Sequence, residues 1–116
     1  MANRRYANGR TLEYAAKDAL EDNGYWATRA PGSKGPADVI ALKYGETLLV
    51  QCKLDGYLTP AERAQLYGLA LMLGAIPLAA RWHKDGNAAR VVAFERIVTP
   101  DASCDWTPDH GFESAR

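Results

Sequence analysis

Apolar residues Leu12, Ala15, Ala16, Ala19 and Leu20 recur at helical spacing between Thr11 and Asn23, with Lys17, Asp18, Glu21 and Asp22 on the other side. This predicts a first helix that stops at Gly24. Tyr25–Ala30 is β-prone, and the turn formers Pro31-Gly32-Ser33-Lys34-Gly35-Pro36 rule out regular structure after it. Two apolar runs, Ala37–Tyr44 and Thr47–Leu54, are joined by Gly45-Glu46 and read as a hairpin. The second run directs Leu49, Gln51 and Lys53 to one face and Leu48, Val50 and Cys52 to the other. Thr59-Pro60-Ala61-Glu62 has capping-box spacing with proline at the first helical position, so a second helix should run from there to Leu73 and stop at Gly74. From Leu66 onward that helix is apolar nearly all round, which implies burial on more than one side. Ile76–Trp82 and Ala89–Phe94, separated by Lys84-Asp85-Gly86-Asn87, form a second hairpin. The order helix, three strands, helix, two strands predicts an α/β fold around a mixed central β-sheet.

The pattern fades after Arg96, so residues 1–96 read as one domain and 97–116 as a C-terminal tail able to pack on it through Trp106 and Phe112. A chain of 116 residues with 47% hydrophobic and 24% charged residues suits a single globular domain and excludes global disorder. Cys52 and Cys104 have no CxxC partner, which argues against a disulfide scaffold or a thiolate zinc site. No signal-peptide core follows Met1, so a reducing cytoplasm, bacterial or that of a phage-infected host, is expected. The uncharged stretch Ala64–Ala80 is interrupted by Gln65, Gly68, Gly74 and Pro77 and is shorter than the roughly 20 apolar residues of a membrane span. Fourteen basic side chains balance fourteen acidic ones, so polyanion binding must come from the distribution of charge. Residues 1–54 hold eight basic and six acidic side chains and residues 55–116 six and eight, which puts the basic surplus beside the Gly/Pro loop.

Four polar residues sit awkwardly for a purely structural role. These are Glu13 at the rim of the first helix's apolar face, Asp38 entering a strand, and Gln51 and Lys53 in the most apolar strand. Asp38 on the neighbouring strand could bring its carboxylate beside Gln51 and Lys53, giving oxygen ligands for a hard cation next to one ammonium group. That set suits phosphodiester hydrolysis, in which a cation activates water and offsets charge on phosphorus. Oxygen donors favour Mg²⁺, with Mn²⁺ substituting, over zinc. Gly32 and Gly35 would permit close approach of phosphate, flanked by Arg29 and Lys34, with Ser33 as a donor. Arg4, Arg5 and Arg10 form a basic arm positioned to add DNA-backbone contacts.

Glu13, Arg29-Ala30-Pro31-Gly32-Ser33, Ala37-Asp38-Val39-Ile40 and Val50-Gln51-Cys52-Lys53 together resemble the PD-(D/E)xK nuclease superfamily. Within it the chain is most similar to the small archaeal-type Holliday junction resolvases and their phage relatives, from about Arg10 to Phe94. The resemblance implies a restriction-endonuclease-like sheet and a homodimeric, Mg²⁺-dependent endonuclease acting on four-way DNA junctions in recombination. It makes Glu13, Asp38 and Lys53 catalytic. Gln51 then stands at a ligand position, and the Cys52 carbonyl is a plausible further ligand. No membrane partner and no nucleotide cofactor are expected. Two positions depart from the family pattern: Ala37 replaces the proline before the aspartate, and Gln51 replaces the acid of the (D/E)xK tripeptide. An amide oxygen can still coordinate a hard cation, but the site loses one negative charge. The alternatives are a nuclease of the same superfamily acting on flap, single-stranded or duplex DNA, a catalytically weakened junction-binding module, and a structural α/β domain.

Overall fold

A computed structural model describes residues 4–30, 35–84 and 90–109, with the backbone alone for residues 4–10. Two helices and six strands follow in the order α1 (Arg4–Glu21), β1 (Trp26–Arg29), β2 (Val39–Lys43), β3 (Glu46–Cys52), α2 (Pro60–Leu73), β4 (Ile76–Lys84), β5 (Arg90–Thr99) and β6 (Ala102–Trp106). The strands form one sheet in sequence order, and every neighbouring pair is antiparallel except β3 and β4. That parallel pair requires a crossover, which α2 supplies. The expected mixed sheet with flanking helices is therefore present. No described helix is long and apolar enough to cross a membrane.

The two helices cover opposite faces, as strand alternation requires. Leu48 and Val50 of β3 pack with Ala16 and Leu20 of α1, while Leu49 packs with Leu66 and Ala70 of α2. The α2 boundaries follow their sequence signals. Thr59 caps the helix, its hydroxyl accepting from the Glu62 N–H while Glu62 accepts from the Thr59 N–H, and Gly74 closes it in the left-handed conformation at φ 66°. The β2–β3 turn is shifted by one residue from the expected Gly45-Glu46. Tyr44 and Gly45, both at positive φ, connect Lys43 to its ladder partner Glu46.

Two elements exceed the sequence expectation. Helix α1 begins at Arg4, so the basic arm is helical in its backbone; the sequence of this stretch has no apolar periodicity to reveal it. The segment read as a tail from Ile97 instead continues β5 to Thr99 and returns as β6. Only the last of the five β6 residues is buried, so the strand lacks apolar alternation. That residue, Trp106, meets Phe94 edge-on at 5.6 Å and Tyr25 at 6.5 Å, and it closes the α1-side core. Phe112 lies outside the described residues.

Tyr25 anchors the other end of this cluster. Its ring is buried, its hydroxyl donates to Glu46 at 2.7 Å, and the Lys43 ammonium lies 4.6 Å from the ring centroid. Burial, reinforced by the Glu46 carboxylate, pushes its phenol pKa far above the ordinary range. Tyr25→Phe keeps the packing and removes the bond, so a loss of about 1 kcal/mol is expected in chemical denaturation. An unchanged midpoint would show that water replaces the bond in full.

Candidate functional site

Asp38 is placed by three main-chain ties. Its N–H donates to the Val50 carbonyl at 2.7 Å, its carbonyl accepts from the Ala30 N–H at 2.8 Å, and its carboxylate accepts from the Cys52 N–H at 2.9 Å. The β2–β3 ladder ends at the Val39–Val50 pair, with Asp38 just before it on one strand and Gln51 just after it on the other. Both residues are half-buried. Lys53 follows β3, and its N–H is held by the Ala80 carbonyl at 3.0 Å. Its ammonium points to α2, where it meets Glu62 Oε2 at 2.8 Å. Lys53 is nonetheless near enough for its charge to act on the Asp38 carboxylate.

The electrostatics tie this cluster together. Burial raises the Asp38 carboxyl above the usual aspartate value, against the Cys52 N–H, which favours the charged form. The Glu13 charge pushes it further up, while Lys53 and Arg29 pull it down, so all three act on Asp38. Burial pushes the Cys52 thiol far up, helped by the charges of Asp38 and Glu13. The protonated form of the Cys52 thiol is thereby favoured. Glu13 reaches the cluster from α1, where Arg29 holds it through Nε at 3.1 Å and Nη2 at 3.0 Å. Arg29 also donates to the Tyr14 hydroxyl at 3.1 Å and stacks 4.5 Å from that ring's centroid.

Several pairings differ from those read off the chain. Arg29, expected on phosphate, is paired with Glu13, expected on metal. Lys53 is paired with Glu62, which the sequence showed only as a capping residue. The nine-residue separation of Lys53 and Glu62 gives no periodic signal, because their meeting depends on how the 53–59 segment returns to the sheet. Gly32, Ser33 and Lys34 lie outside the described residues, as do the side chains of Arg4, Arg5 and Arg10.

Among the described residues no three His, Cys, Asp or Glu side chains are grouped as a metal cage. The donors on hand are the Asp38 and Glu13 carboxylates, the Gln51 amide and main-chain carbonyls. This all-oxygen set fits Mg²⁺ or Mn²⁺, and a carboxyl raised by burial is one that a cation would stabilise in its charged form.

The sequence model of a family described as archaeal Holliday junction resolvase (Hjc) matches residues 4–104. No curated protein sequence matches. Among solved structures, the chain is similar to Hjc, a Holliday junction resolvase from the archaeal hyperthermophile Archaeoglobus fulgidus. The identity is 24%, the TM-score is 0.62, and the match covers 85% of this chain and 88% of that one.

Proposed function

We propose that this chain, which belongs to the archaeal Holliday junction resolvase family, is a divalent-metal-dependent endonuclease that cuts four-way DNA junctions as a homodimer. What supports this reading is the half-buried Asp38 carboxylate, held by the Cys52 N–H and within reach of the charges of Lys53, Glu13 and Arg29. Asp38, Gln51 and Glu13, with the Cys52 carbonyl, would hold Mg²⁺, which supplies a bound water of lowered pKa and charge to offset that on phosphorus. The Asp38 carboxylate is kept in place by the Cys52 N–H, so its free oxygen is aimed without rearrangement. Lys53 keeps two ammonium protons beyond the one given to Glu62, enough to orient a water and contact a phosphate oxygen. Arg29 fixes Glu13 and adds positive charge at the mouth of the site. Arg4, Arg5, Arg10, Gly32, Ser33 and Lys34 would take backbone phosphates, giving recognition by shape rather than by base sequence.

The dimer rests on α2. Leu71, Met72 and Leu73 at its C-terminal end are 70%, 75% and 58% exposed, an apolar surface that a two-fold partner would cover. Two copies related in this way could cut both strands of a junction symmetrically.

Gln51 favours one second reading, a junction-binding module whose catalysis is weakened by the missing charge. Titrating Mg²⁺ and Mn²⁺ against four-way, flap, linear duplex and single-stranded DNA, with the native chain and Gln51→Glu, separates these. Preferential nicking of the four-way junction is expected, with Gln51→Glu lowering the half-saturating Mg²⁺ on the order of tenfold, or about 1.4 kcal/mol. Equal cutting of all four substrates would defeat the resolvase assignment. Binding without cleavage in both proteins at every metal concentration would establish the binding module.

A further inference from the structure

We infer that Glu62 is a positioning residue for Lys53, fixing the ammonium over the site from the first turn of α2; this rests on the nuclease role proposed for Lys53. The lysine main chain is well held, since its N–H bonds Ala80 and its carbonyl accepts from Gly56 at 3.0 Å. The ammonium, however, lies at the end of four methylenes whose rotamer freedom the main chain does not restrict. A carboxylate at position 51, two residues back on the same face, would provide a local anchor, but Gln51 is neutral. Asp38 directs one oxygen to the Cys52 N–H. Glu62 supplies an anchor from another element.

Glu62 is itself immobilised. Oε2 takes the Lys53 ammonium at 2.8 Å, Oε1 takes the Thr59 N–H at 2.9 Å, and its own N–H donates to the Thr59 hydroxyl at 3.2 Å. Its carboxyl lies below the usual glutamate range, chiefly through the Lys53 bond and then the Thr59 N–H, so it is charged throughout the working range of pH. The helix N-terminus favours the same charge. The first turn of α2, seated on the sheet through Leu66 and Ala70, thereby determines where the ammonium stands. A capping motif that needs only Glu or Gln for its helical role carries Glu, the one of the two that also binds a lysine as an ion pair.

Two variants of the full chain separate the roles. Glu62→Gln retains a capping-box residue and removes the negative charge facing Lys53, whereas Thr59→Ala removes the cap and retains that charge. For Glu62→Gln, kcat on a four-way junction is expected to fall about 10- to 100-fold, with KM within about twofold and Tm nearly unchanged. Thr59→Ala should lower Tm by about 5 °C with kcat within about threefold. The ¹⁵N resonance of the Lys53 ammonium, assigned by its loss in Lys53→Ala, should report an ordered group in the native chain and a mobile one in Glu62→Gln. Native turnover in Glu62→Gln, or an ammonium equally ordered in both, overturns the inference. If the native chain cuts no DNA, the resonance alone decides: ordering lost in Glu62→Gln upholds the positioning role while the nuclease reading fails, and ordering retained removes both.

Discussion

Asp38→Asn is expected to reduce junction cleavage by at least about a thousandfold, roughly 4 kcal/mol of transition-state stabilisation, while leaving junction binding and the fold intact. The substitution is nearly isosteric, and the asparagine carbonyl can still accept the Cys52 N–H that the carboxylate accepts at 2.9 Å. What disappears is the negative charge that would bind the cation. Stability should not fall, because burial raises the Asp38 carboxyl above its ordinary value, meaning that the fold disfavours its charged form. For a carboxyl raised in this direction, the fold loses stability as pH climbs through its folded-state value; the neutral amide is spared that loss, so Tm at neutral pH should be equal or higher. Cleavage follows the opposite sign. As pH falls Asp38 takes up its proton earlier than an ordinary aspartate and can no longer coordinate, so the acid limb of kcat/KM should lie above the usual aspartate range. High Mg²⁺ should move that limb downward, since a cation favours the ionised form. A pH profile at two Mg²⁺ concentrations checks both statements, and an acid limb indifferent to Mg²⁺ would remove Asp38 from the metal. Loss of junction binding in step with cleavage would contradict the separation of docking from chemistry.

Lys53→Ala is expected to lower kcat by about a hundred- to a thousandfold with the junction Kd changed only a few-fold, the size of effect seen when one preorganised donor to developing charge is deleted. Lys53→Arg should restore little of it. A guanidinium is a planar fork rather than a compact ammonium, and the 2.8 Å contact with Glu62 was built around the latter. The fold should tolerate both changes, because the Lys53–Glu62 pair is partly open to solvent and Thr59 still caps α2. Single-turnover kinetics beside filter binding would separate the two quantities. Cleavage unchanged in Lys53→Ala would remove the lysine from the chemistry.

The parts of this molecule that were legible from its sequence are those in which neighbours along the chain determine the outcome. Helix α2 announced itself through Thr59, Pro60, Glu62 and Gly74 because a cap is a local hydrogen-bond arrangement. That Asp38 and Gln51 come at the same end of two neighbouring strands was foreseeable once two apolar runs were joined by a short turn. Strand β6 was missed because a strand at the border of a sheet buries only Trp106 and has no alternation to detect. The first turns of α1 were missed because Arg4–Arg10 carries no apolar periodicity. In the site, the individual charged residues could be named, yet their partners could not. Arg29 with Glu13 and Lys53 with Glu62 meet across different elements, and only the packed layers decide which opposite charge comes within reach.

The single parallel junction between β3 and β4 bears on how the chain assembles. On either side of it lies a three-stranded meander, β1–β2–β3 and β4–β5–β6, whose contacts are local and can form early, whereas the seam between them closes a long loop and forms late. Glu13, Asp38 and Gln51 belong to the first half, but Lys53 is pinned to Ala80 of the second. Zipping the seam is thus the step that fixes the Lys53 main chain, so a half-assembled chain would hold Glu13, Asp38 and Gln51 without a placed Lys53.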